Sequence, residues 1–133
     1  MITKIHKSSK LSATMHYVYR GDARGEVVDG NVISWDRDEA TKEISEAINR
    51  RPELSRPVIH GIISVPREDT LKTTDWREIT REYTEKMGYG ASPWVAIRHQ
   101  DTDHDHVHIV ASRVRIDGRA VDDSHDYYRS QAI

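Results

Sequence analysis

Four of the eight histidines in this 133-residue chain fall between positions 99 and 108, in Arg98-His99-Gln100-Asp101-Thr102-Asp103-His104-Asp105-His106-Val107-His108-Ile109. If residues 100–105 close a hairpin, His99 and His106 stand opposite each other with Cβ atoms about 4.5–5.5 Å apart, and His108, two residues on, shares their face. Val107 and Ile109 then point into the core, and His104 is left in the loop. Three imidazoles on rigid strands with coordination positions left over suit a catalytic metal better than a closed structural one, and such an ion can polarise a phosphoryl oxygen. Asp101 and Asp103 are near enough to orient imidazole N–H groups from behind. A surface hairpin with adventitious metal affinity would show the same spacing. A calcium loop starting at Asp101 is disfavoured, because its sixth position is His106 instead of Gly and its twelfth is Ser112 instead of Glu.

The elements that must position these groups follow from periodicity and punctuation. Ile2 to His6 alternates as a short strand, and Ser8-Ser9-Lys10 can open a helix over Leu11 to Arg20 that stops at Gly21. On that helix Leu11, Met15, Val18 and Tyr19 share the core face, and Tyr17 points away from it. Val27 to Trp35 predicts a hairpin turning at Asp29-Gly30-Asn31, and Asp36 or Asp38 caps a helix through about Asn49, ended by Arg51-Pro52. Pro57 to Val65 is rich in β-branched residues and predicts a largely buried strand. Thr73 or Thr74 caps a third helix carrying Trp76, Ile79, Tyr83 and Met87 and closed by Gly88 and Gly90. Trp94 to His99 and His106 to Arg115 are the two strands of the histidine hairpin. Asp117-Gly118 is a turn, and Asp122, Asp123 or Ser124 caps a last helix. This mixture predicts an α+β class, with a largely antiparallel central sheet flanked by helices and the histidine-bearing hairpin at the active site.

Composition narrows the function classes. The absence of cysteine excludes disulfides, thiolate metal sites and cysteine nucleophiles, and agrees with a reducing cytoplasm. No apolar run approaches the roughly 20 residues of a membrane span, so no membrane insertion is expected and the location expected is cytoplasmic. A net charge of −2 is no general argument for nucleic acid. Its distribution says more: residues 1–20 hold Lys4, Lys7, Lys10 and Arg20 without an acid, whereas acids crowd the stretch from Asp22 to Leu54. The length suits one domain over residues 1–133. It stops a few residues into the last helix, as a fragment of a longer chain would.

The run from His99 to Val114 resembles the third motif of the relaxases of conjugative and mobilisable elements, members of the His-hydrophobic-His endonuclease superfamily; Ser112 stands where that motif commonly has Asn. Leu11-Ser12-Ala13-Thr14-Met15-His16-Tyr17-Val18 is similar to the family's first motif, and His60-Gly61-Ile62-Ile63-Ser64-Val65-Pro66 to its second. The resemblance implies that Tyr17 is a nucleophile attacking DNA to give a 5′-phosphotyrosine. A tyrosine hydroxyl is weak near neutral pH and must be placed in line with a phosphate whose charge is already offset. It also implies that His99, His106 and His108 hold Mg²⁺ or Mn²⁺, or else Zn²⁺, with Asp101 tuning the site. The expected partners are single-stranded DNA at an origin of transfer and accessory DNA-binding and transfer-machinery proteins. Lys4, Lys7, Lys10, Arg20, Ser64, Arg113 and Arg115 are the residues expected to contact DNA. Two rivals stay open: a rolling-circle replication initiator or transposase using Tyr127 or Tyr128, and an accessory module that binds DNA without cutting it.

Overall fold

A computed structural model of the chain describes residues 1–20, 26–66, 69–100, 105–124, 126 and 130–131. Its elements run β1 (Ile2–Ser8), α1 (Leu11–Tyr19), β2 (Val27–Gly30), α2 (Arg37–Ile48), β3 (Val58–Ser64), α3 (Thr73–Met87), β4 (Trp94–His99) and β5 (His106–Ser112). The five strands form one sheet in the order β1-β3-β5-β4-β2 with every pairing antiparallel, so the class is α+β as the patterning indicates. No helix among the described residues is long and apolar enough to cross a membrane.

Strand alternation divides the side chains between two apolar layers. On one face Ile59, Ile63, Ala96, Val107, Ile109 and Ala111 pack against Trp76, Tyr83 and Met87 of α3. On the other, Val58, Val95, Ile97 and Val110 pack against Met15, Val18 and Tyr19 of α1 and Ala40 and Ile44 of α2. β5 is central, which explains the nearly continuous burial of its Val107 to Ser112.

The helix ends show which local signals decide. Asp36 is the cap of α2, its carboxylate accepting from the N–H groups of Asp38 and Glu39 at 3.1 Å each. For α3 the expected threonine cap is corrected: Thr73 and Thr74 lie inside the helix, and Asp75 reaches back to accept from Lys72 N–H at 3.0 Å. Gly88 closes α3 in the left-handed region, φ 91°, where a side chain would be strained. Arg20, at φ 56°, does the same for α1, donating its N–H to Tyr17 O at 3.1 Å; Gly21, the expected stop, lies outside the described residues.

The hairpin expected over Val27 to Trp35 does not form. Val27 to Gly30 is a single edge strand against β4. Asp29 is buried and accepts from Arg81 Nε and Nη2 at 2.7 and 3.1 Å, so it cannot serve a turn. The Asn31 amide donates to Ser92 O at 2.6 Å and accepts from Trp94 N–H at 2.8 Å, which extends the pairing with side-chain atoms. The last strand is also shorter than expected, ending at Ser112, with Val114 forming an isolated bridge to Ala120 across the Asp117-Gly118 turn. Of the expected last helix, Asp126, Ser130 and Gln131 are helical, and residues 125, 127–129 and 132–133 lie outside the described set.

Candidate active site

The β4–β5 register sets His99 directly opposite His106 and Ile97 opposite His108, so the three imidazoles share the face that carries α1. Ring centroids lie 4.2 Å apart for His99 and His108, 5.1 Å for His106 and His108, and 5.2 Å for His99 and His106. One ring nitrogen of each lies within 4.8 Å of the others, so the three could hold one metal ion.

The hydrogen bonds behind two of these rings fix which atoms face inward. His99 Nε2 lies 2.8 Å from the carbonyl oxygen of Val18, which can only accept, so Nε2 carries the proton and Nδ1 keeps its lone pair. His108 Nδ1 lies 2.7 Å from His60 Nε2, while His108 Nε2 is buried without a hydrogen-bond partner. A buried nitrogen without a hydrogen-bond partner inside a cluster of imidazoles suits a metal ligand. Burial, and then the neighbouring His99, His60, His106 and Arg20, push the His108 pKa down to about 3; this keeps the ring neutral, as a ligand must be. His60 is held neutral for the same reasons, burial first and then His6 and His99, at about 4.

α1 delivers Tyr17 to this cluster. Met15, Val18 and Tyr19 are buried by the sheet and α2, whereas Tyr17 is 63% exposed. Its ring stands edge-on to His108, with centroids 5.8 Å apart and planes at 88°, and 6.2 Å from His60. Tyr19, two residues on, donates its hydroxyl proton to Trp35 O at 2.9 Å, and burial followed by the Asp36 charge pushes its pKa up to about 12. That hydroxyl is structural. Tyr83 sits on the other face, hydrogen-bonded to Ser130 at 2.8 Å. Tyr127, Tyr128 and Asp101 lie outside the described residues.

The residues expected at DNA separate into two groups. Ser64 is paired directly with His106 across β3 and β5, and Lys4 is exposed on the same face, opposite Ile62, which in turn is opposite His108. Lys10 is exposed at the start of α1, and Arg20, at its end, is close enough for its charge to act on His108. Lys7 is elsewhere: alternation turns it to the α3 face, where Asp123 and Asp126 hold it at 2.9 and 2.8 Å. Arg113 lies on that side too, paired with Asp123 at 3.2 Å. Arg113 and Arg115 follow the far end of β5, with Arg113 about 16 Å along the strand from His108 at 3.3 Å per residue. Ser112 is buried, and its hydroxyl donates to Val114 O at 2.7 Å and accepts from Val114 N–H at 2.9 Å, so it closes the strand end and does not reach the histidines.

Two features of the site escaped the sequence reading. His60 stood in the segment similar to the second motif but was given no role of its own. Arg98 and Asp105, which immediately precede His99 and His106, form a bidentate ion pair on the opposite face at 3.0 and 2.6 Å. Trp76 Nε1 donates to Asp105 at 3.2 Å and Arg98 donates to Leu71 O at 2.8 Å, which ties the ends of both strands to α3 and the segment before it. Burial opposes the Asp105 charge, but hydrogen bonds from Arg98 and Trp76 outweigh it and lower its pKa. Opposite charges seven positions apart, one beside each end of the expected loop, were the available signal.

No curated protein is similar enough to this chain to be matched. The family model for relaxases, described as a MobA/VirD2-like nuclease domain, matches residues 17–133.

Proposed function

The chain belongs to the relaxase family, and on that footing we propose that it nicks one strand of DNA by transesterification to Tyr17 during conjugative transfer or mobilisation. The observation that supports this reading is the edge-on placement of the Tyr17 ring against His108, 5.8 Å away, as a nucleophile beside a metal ligand would require.

The tyrosine oxygen attacks the phosphorus, the bond to the 3′ oxygen breaks, and that oxygen takes a proton from solvent to become a 3′ hydroxyl while the protein keeps the 5′ phosphate. The phenol proton departs to solvent. The bond energy is conserved in the phosphotyrosine, so a 3′ hydroxyl can reverse the step, which suits strand transfer better than degradation. His99, His106 and His108 would hold Mg²⁺ or Mn²⁺, or else Zn²⁺, and such an ion supplies positive charge to the scissile phosphate. Tyr17 is open to solvent, so a DNA strand can approach it, while Ser64, Lys4, Lys10 and Arg20 lie on the same face or at the ends of α1 and can fix the backbone. Asp101 would orient a ligand imidazole. The substrate is single-stranded DNA at an origin of transfer, and accessory DNA-binding and transfer-machinery proteins would deliver it.

Incubation with labelled oligonucleotides bearing candidate transfer origins and Mn²⁺, followed by a denaturing gel, tests the reading. A labelled protein band that disappears with Tyr17→Phe supports it. An adduct that persists in Tyr17→Phe and is lost with Tyr127→Phe or Tyr128→Phe would instead make the chain a replication initiator or transposase. DNA binding without any adduct across such a set would make it an accessory module.

A further inference from the structure

His60 sits on β3 diagonally across from His108 on β5, since His60 pairs with Val110 and Ile62 with His108. Diagonal neighbours on one face are about 7–8 Å apart, within reach of two imidazoles, and here the rings meet with His60 Nε2 2.7 Å from His108 Nδ1. Two ring nitrogens at that distance share a single proton. If His60 Nε2 carries it, His108 becomes the acceptor through Nδ1, its own proton moves to Nε2, and an N–H points into the triad where no ion can bind. If His108 Nδ1 carries it, His108 Nε2 offers a lone pair to the triad. In the second arrangement the nitrogen left for an ion is the one that is buried and makes no hydrogen bond to the described residues, His108 Nε2.

We propose that His60 is a positioning residue that accepts the His108 Nδ1 proton and so fixes the tautomer in which His108 Nε2 serves as the metal ligand. This rests on the reading that the triad holds an ion. His60 would not touch the ion; it acts through the ring it orients, as the partners behind metal-bound histidines do. The His60 ring also stands 6.2 Å from the Tyr17 ring, so His60, His108 and Tyr17 form one cluster of rings.

The test compares wild type, His60→Ala and His60→Gln as the full chain, each first shown to unfold cooperatively. Nitrogen-15 NMR of the metal-free proteins reads the His108 tautomer, and Mn²⁺ titration reads affinity. Gln offers Oε1 as an acceptor near the position of the lost Nε2, so His60→Gln should keep the Nδ1–H tautomer and bind Mn²⁺ within about threefold of wild type. His60→Ala should give a mixture of tautomers and weaken Mn²⁺ binding by about 10–100-fold. An unchanged tautomer and affinity in His60→Ala would overturn the proposal, as would equal losses in Ala and Gln. Wild type that binds no Mn²⁺ would overturn the metal reading alone, and the tautomer comparison would then decide the role of His60 by itself.

Discussion

His99 Nε2 donates its proton to the carbonyl oxygen of Val18 at 2.8 Å, so a candidate metal ligand on β4 is bonded to the backbone of the residue that follows Tyr17. The helix that carries Tyr17 is therefore attached to the histidine triad by one of the triad's own side chains. His99→Ala should destabilise the protein by about 1–3 kcal/mol, because it leaves a buried carbonyl unsatisfied as well as removing packing. His106, only half-buried, should cost less when replaced by Ala. Urea titrations of the two metal-free variants measure the difference, and equal losses would show that the His99 bond contributes nothing to holding α1.

Tyr17→Phe and Tyr19→Phe should separate chemistry from structure. Phe at 17 removes an exposed hydroxyl, so it should leave stability, Mn²⁺ binding and DNA affinity near wild type while abolishing the covalent adduct. Phe at 19 removes the bond to Trp35 O and should cost about 1 kcal/mol while the adduct still forms. Thermal melts and the adduct gel read the two effects.

The Arg98–Asp105 pair is almost buried, and removing one partner strands a charge. Asp105→Ala should cost about 3–5 kcal/mol, more than any single change at the exposed lysines. Chemical denaturation checks this, and a loss under 1 kcal/mol would mean that solvent replaces the carboxylate without penalty.

At the other face, the hydrogen bond from Lys7, against a smaller effect of burial, lowers the Asp123 pKa below the ordinary carboxylate range. A group with a depressed folded pKa contributes stability above its unfolded pKa of about 3.9 and loses it as pH falls through the folded value. Lys7→Gln should therefore lower the melting temperature at pH 6–7 and have little effect near pH 2, so the two proteins converge on acidification. A constant difference across that range would remove Asp123 from the account.

The same ion pairs predict which lysines face DNA. Replacing Lys4 and Lys10 with Ala should flatten the slope of log K against log salt for single-stranded DNA by up to about two phosphate contacts, whereas Lys7→Ala should leave it unchanged. Fluorescence anisotropy over a salt series decides this, and a flattened slope for Lys7→Ala would place that residue at the DNA after all.

What could be read from the sequence was what alternation and short loops determine. His99, His106 and His108 converge because a two-residue period and a six-residue loop leave them no other arrangement. Tyr17 and Tyr19 separate because two residues on a helix turn a side chain by about 200°. The failures are long-range. Asp29-Gly30-Asn31 has the composition of a turn, but Arg81, 52 residues later, and Ser92 and Trp94, about 60 later, claim its side chains first. Lys7 belongs to a basic segment in sequence but meets Asp123, 116 residues away, in space. His60 stood in the segment similar to the second motif, but its contact with His108 is diagonal, between strand residues 48 apart in sequence.

The placement of the three histidines and the Arg98–Asp105 ion pair on opposite faces also bears on how the chain finds its register. Strand β4 ends in Arg98-His99 and β5 begins after Asp105 with His106, so each strand end presents a charge to one face and an imidazole to the other. Sliding β4 by one residue would turn His99 toward Trp76 and bury the Arg98 guanidinium among the histidines, separating it from Asp105. Such a misaligned hairpin would carry two unpaired charges out of water. The ion pair thus acts as a register key, penalising the near-native folds in which the three histidines could not meet.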